Sequence, residues 1–206
     1  MKKYDVLLLS VIFILVAILV VKSEKEEPEN YLLIIGDSRM VYMNYTVGDN
    51  EHIQYNAIVG DGFYLFRDAI TQIYDFSAKY NTSYTHAKIL CNLGVNDLAR
   101  FPLYRDMYER LVADGIDITF MTVNPVDENV PDYAYDVTNE EVDSFNDYMR
   151  AIDGLNILDT NKILKADGYA TVDGLHYTDE TSEYIYHLIC DYFQIEKIEE
   201  NREEIK

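Results

Sequence analysis

A repeated change of period constrains this chain more than any other feature. Short apolar runs, closed by glycine or by Asn-Pro, alternate with longer segments whose apolar residues recur at helical spacing. Residues 31–35 end at Gly36, residues 54–59 at Gly60 and residues 88–93 at Gly94. Residues 116–123 are stopped by Asn124-Pro125, and residues 155–159 form a fifth run. Between them, residues 63–80, 103–114 and 139–152 read as helices, with Thr138 and Glu141 in capping-box positions before the last. A final helix is expected over Asp179–Phe193, burying a stripe of Tyr184, Ile185, Leu188, Ile189 and Tyr192. This alternation predicts a parallel sheet covered on both faces, with ligands bound beyond the carboxyl ends of its strands.

At 206 residues, 49% of them hydrophobic, the chain is long enough for one domain with a full core. Its net charge of -20 repels phosphate backbones, so nucleic acid is not an expected partner. No calcium-loop pattern, CxxC pair or HExxH helix is present, and no metal or organic cofactor is expected. Residues 1–22 stand apart. Lys2 and Lys3 precede an apolar run over residues 6–21, and the exit at residues 18–22 lacks the small residues of a cleavage site. They read as an uncleaved signal anchor, a transmembrane helix with the domain outside. A cleaved signal, which would make the protein secreted, is the alternative; both give an extracytoplasmic domain. Residues 23–30 read as a charged linker, 31–196 as the folded domain and 197–206 as a charged tail. Cys91 and Cys190 read as buried thiols, with a disulfide as the alternative.

Two expected strand ends and one loop carry chemistry. Gly36-Asp37-Ser38-Arg39 closes the first strand, where a serine projects from the sheet edge and a following helix would aim its N–H groups at an oxyanion. The same tetrapeptide is ordinary turn chemistry when it stands alone. Gly94-Val95-Asn96-Asp97 closes the third strand and offers a side-chain amide, as an oxyanion donor or as a turn and cap residue. Asp173-Gly174-Leu175-His176 places a carboxylate three residues before a histidine, able to orient the imidazole and leave Nε2 as a base. His52 and His86 lie in polar loop contexts and His187 in the last helix.

Together these segments resemble the SGNH/GDSL hydrolase family, whose four blocks contribute Ser, Gly, Asn and His in that order. The resemblance covers about residues 32–190. It implies a flavodoxin-like three-layer α/β/α sandwich with a central parallel sheet. It also implies Ser38 as nucleophile, His176 as base, Asp173 as its orienter, and an oxyanion hole of the Ser38 N–H, the Gly60 N–H and the Asn96 side chain. Gly62 is the alternative to Gly60. Arg39 replaces the leucine of the family's name; it is expected to form a surface or loop-pinning salt bridge, with contact to a substrate carboxylate as the other reading.

The function implied is an extracytoplasmic serine esterase acting on small acyl esters, such as O-acetyl groups on cell-surface or extracellular glycans. Acyl transfer to a glycan, a lipase or thioesterase activity, and a non-catalytic glycan-binding role are the alternatives. The chain has 19 tyrosines and no tryptophan, and Tyr42, Tyr45, Tyr64, Tyr133, Tyr135 and Tyr177 lie near the expected site in sequence. Residues 124–138 are expected to form part of the pocket rim.

Overall fold

The protein is described here from a computed structural model covering residues 28–198. The expected anchor over residues 1–22, most of the linker and most of the tail lie outside the described residues. Among the described residues, no helix is long and apolar enough to cross a membrane.

Five strands, β1 (Glu29–Gly36), β2 (Ile53–Ala57), β3 (Thr85–Asn92), β4 (Ile118–Met121) and β5 (Asn156–Leu158), pair in parallel in the order β2-β1-β3-β4-β5. Among the described residues, seven helices connect and cover them: α1 (Ser38–Val47), α2 (Phe63–Asp68), α3 (Ile70–Tyr80), α4 (Phe101–Ala113), α5 (Asn139–Arg150), α6 (Thr160–Asp167) and α7 (Asp179–Phe193). A 3₁₀ turn, Leu98–Arg100, precedes α4.

The alternation within β1 divides the core. Leu33 and Ile35 face one side with Ile89, Cys91 and Phe120, where α2 to α5 deliver Phe66, Ile73, Tyr104, Tyr108 and Phe145. Leu32 and Ile34 face the other side with Leu90 and Met121, covered by Met40 and Met43 of α1, Leu164 of α6 and Ile185 and Ile189 of α7. Strands buried on both faces explain why residues 31–35 read as one unbroken apolar run rather than an alternating one. Cys91 and Cys190 lie in the two separate cores, and both are free thiols.

Three elements depart from the sequence-based expectation. Residues 63–80 form two helices, broken where Ala69 relaxes to a ψ of -4°. Residues 160–167, too short to show a period, form α6. On α7 the buried stripe is rotated toward Tyr186, Cys190 and Phe193, leaving Tyr192 43% exposed. The exposed tyrosine carries its hydroxyl to water, while the thiol and phenyl beside it have no polar tip to solvate. The capping box at Thr138 and Glu141 forms as expected.

Candidate active site

The strand order reverses direction around β1, so the loops after β2, β1 and β3 lie side by side at one end of the sheet. They carry Gly60, Ser38 and Asn96, with the serine loop in the middle. Gly36 is the last residue of β1, and a Cβ there would overlap the Met40 side chain, so only glycine lets the strand turn this tightly into α1. Asp37 then caps the helix, its Oδ1 accepting from Arg39 N at 3.0 Å. Burial pushes the Asp37 carboxyl above its usual range, against the pull of the Arg39 guanidinium.

Ser38 is the first residue of α1 and is buried, with its Oγ 3.0 Å from His176 Nε2. The other ring nitrogen, Nδ1, lies 2.8 Å from Asp173 Oδ2. Asp173 Oδ1 accepts from the backbone N–H groups of Leu175 and His176 at 2.9 and 2.7 Å. Tyr135 donates its hydroxyl to Asp173 Oδ2 at 2.6 Å. Burial works against the charge, but hydrogen bonds from the His176 backbone, Tyr135, the His176 ring and the Leu175 backbone hold this carboxyl well below the usual carboxylate range. The bond to Asp173 and partial burial push the Tyr135 hydroxyl up to about 12, so it stays a donor.

On the other flank, the second block settles around two glycines in different ways. Gly60 is exposed, adopts a φ of +76° and has no acceptor for its N–H among the described residues. Gly62 is buried, and its N–H is taken by Asp61 Oδ1 at 2.7 Å. The Ser38 N–H likewise has no acceptor among the described residues. The Asn96 amide donates to the Asp61 carbonyl at 2.7 Å, joining the second and third blocks. An amide NH₂ has two hydrogens, so this bond fixes the group and leaves one donor unspent. Of the two glycines, Gly60 therefore keeps the unspent donor that an oxyanion needs.

Arg39 is a brace. It is 4% exposed, donates from Nε to the Leu175 carbonyl and from Nη1 to the Asn124 carbonyl, both at 3.0 Å, and lies 5.0 Å from the Tyr177 ring centroid. Among the described residues it makes no salt bridge, so it pins its loops through backbone carbonyls rather than through the ion pair expected from the sequence. Residues 124–138, expected at the pocket rim, also touch the histidine loop. Asp127 N donates to the Gly174 carbonyl at 2.8 Å, and a Cβ on Gly174 would strike the Tyr133 ring and the Asp127 carbonyl. Through these contacts and Tyr135 the segment buttresses the histidine loop. Sequence reading placed Tyr135 near the site, but its bond to Asp173 spans 38 residues and has no local pattern.

Asp97 is named in the sequence motif that closes the third strand but has no role assigned to it there. Its Oδ2 accepts from Phe63 N at 2.9 Å, capping α2, and its Oδ1 accepts from the Tyr104 hydroxyl at 2.8 Å. The Asn-Asp pair after β3 thus ties the glycine loop down twice.

The parallel β2-β1-β3-β4-β5 sheet between two helical layers is the fold of the GDSL hydrolases. A GDSL-like lipase from Bacteroides thetaiotaomicron matches with a TM-score of 0.58 at 18% identity, over 85% of this chain and 94% of that one. A putative platelet activating factor from Streptococcus pneumonia matches with a TM-score of 0.59 at 19% identity, over 83% and 86%. An acetylxylan esterase from Geobacillus stearothermophilus matches with a TM-score of 0.54 at 16% identity, over 82% and 96%. No protein-family model and no curated protein matches the chain.

Proposed function

We propose that this protein is a serine esterase of the SGNH/GDSL type, releasing small acyl groups, chiefly acetyl, from glycans outside the cytoplasm. The observation that carries this reading is the continuous hydrogen-bonded chain from Ser38 Oγ through His176 to Asp173. His176 Nε2 takes the Ser38 proton as Oγ attacks the ester carbonyl, and Asp173 steadies the imidazolium that forms. The carbonyl oxygen, now an anion, is met by the unspent N–H groups of Ser38 and Gly60 and by the free hydrogen of the Asn96 amide. His176 then gives its proton to the departing alcohol, and the same steps with water release the acid.

The glycan assignment is supported by the acetylxylan esterase among the structural neighbours and by the export signal read in residues 1–22. Ser38→Ala is expected to lower turnover of p-nitrophenyl acetate by at least about 10³-fold. Labelling by a fluorophosphonate probe should disappear with it, at unchanged melting temperature. A variant that kept wild-type turnover would show that Ser38 is not the nucleophile.

A further inference from the structure

On the histidine side of Ser38 an open groove of about 560 Å³ runs between α1 and the loop that carries His176. Residues three and four apart on a helix share a face, so Tyr42, Tyr45 and Thr46 stand together on α1. Tyr42 meets the His176 ring edge-on with centroids 5.2 Å apart, and Tyr45 is 81% exposed. Val172 and Asp179 close the opposite wall, and Thr46 Oγ1 donates to Asp179 Oδ1 at 3.2 Å. No lysine or arginine lines the groove, whereas Asp173 and Asp179 do.

We infer that this groove is the subsite for the alcohol half of the ester, and that it takes a neutral, polyhydroxylated ring such as a sugar. The inference rests on the esterase reading above and extends it to the leaving group. The side of the site follows from the chemistry. The proton that His176 Nε2 receives from Ser38 must next reach the alkoxide oxygen, so the alcohol has to stand on the imidazole side of the scissile bond. The carbonyl oxygen points the other way, toward Gly60 and Asn96.

The character of the alcohol follows from the walls. Two exposed tyrosine rings offer flat apolar faces with polar tips, suited to the C–H face of a sugar. The Asp179 carboxylate and the Thr46 hydroxyl offer acceptors to its hydroxyl groups. A phosphate- or carboxylate-bearing alcohol would meet two carboxylates and no compensating cation, in a protein whose net charge is already -20. The volume falls within the usual range for an organic ligand and is larger than a simple alcohol needs.

The test compares kcat/KM for three acetyl esters, each normalised to its alkaline hydrolysis rate: ethyl acetate, a methyl O-acetylglucoside and its uronate counterpart. For the wild-type protein the neutral sugar ester is expected to exceed both others by at least tenfold. Tyr45→Ala should lower the sugar-to-ethyl ratio at least fivefold. Val172→Lys, at a position 72% exposed, should raise the uronate-to-neutral ratio at least fivefold by adding a cation to the wall. Turnover of all three esters with these ratios unmoved would overturn the groove assignment and leave the esterase intact. So would a Tyr45→Ala effect that followed acyl length, comparing ethyl acetate with ethyl butyrate, because the groove would then hold the acid half. If the wild-type protein turned over none of the esters, the esterase reading itself would fall and the groove assignment with it.

Discussion

At the scale of single residues, the Asp173 carboxylate decides how the site responds to pH. Its Oδ2 receives both the His176 ring and the Tyr135 hydroxyl, so the tyrosine competes with the imidazolium for the same negative charge. With its carboxyl held below the ordinary range, Asp173 remains ionised as pH falls through the range where free aspartates protonate. Its stabilising hydrogen bonds are therefore present above that range and are lost only as pH drops through the lower folded value. Tyr135→Phe removes one donor from Oδ2 and concentrates the charge on His176. Without that hydrogen bond the Asp173 carboxyl should rise toward its ordinary range, so the stability it contributes should be lost at a less acidic pH than in the wild-type protein. The loss of a brace on Asp173 should also lower kcat by about three- to tenfold. Melting temperature against pH reads the first and steady-state kinetics the second, and an acid limb that stayed in place while kcat fell would mean that the Tyr135 hydroxyl does not hold the Asp173 carboxyl down.

At the scale of elements, the site depends on joints between segments distant in sequence. The glycine loop is held by α2, whose first turn is capped by Asp97 from the loop after β3. Gly62 has a negative φ, -153°, but a Cβ there would fall 2.5 Å from the Asp97 carboxylate oxygens. Gly62→Ala must push Asp97 away from Phe63 N and Tyr104, a cost of about 2 kcal/mol, or roughly 4–8 °C of melting temperature for a domain of this size. Gly60→Ala has no neighbour within 4 Å and pays only for its positive φ, about 1 kcal/mol. It should melt about 2–4 °C lower yet lose more activity than Gly62→Ala, because the N–H it displaces is a proposed oxyanion donor. Thermal melts and ester kinetics on the pair separate support from chemistry, and the reverse ranking in activity would return the oxyanion role to Gly62.

These joints also explain what the sequence could disclose. The strands were readable because each is an apolar run that ends on a turn residue, and Ser38, Asn96 and His176 because short local patterns mark them. The Asp97 cap, the Arg39 brace and the Tyr135 bond each join residues 34 to 136 positions apart, with no periodicity to announce them. Residues 124–138 looked like a rim because they are polar and irregular. Of these residues the Tyr135 hydroxyl and the Asp127 N–H reach the histidine loop, while the Asp127 and Glu128 carboxylates bond Asn129 and Asn139.

At the scale of the whole molecule, β1 gives the protein two poles. It begins at Glu29, where the chain arrives from the proposed anchor, and ends at Gly36 beside Ser38. Its eight residues span about 26 Å, so the site and the chain entry lie at opposite ends of the sheet. A domain tethered through residues 1–22 would hold Ser38 and the Tyr45 groove away from the bilayer, toward soluble polymer rather than lipid. The full chain is accordingly expected in carbonate-washed membranes, and a form lacking residues 1–27 in the soluble fraction. Both should release acetate from a soluble acetylated polysaccharide with kcat/KM within about threefold, since Glu29, where the described chain begins β1, stands at the far end of the strand from Ser38. The anchored form should not match that rate on a diacylglycerol ester embedded in vesicles, where the sheet would have to invert to bring Ser38 to the surface. Extraction of the full chain by carbonate would remove the anchor. Equal rates on the embedded and soluble esters would show that the site faces the membrane after all.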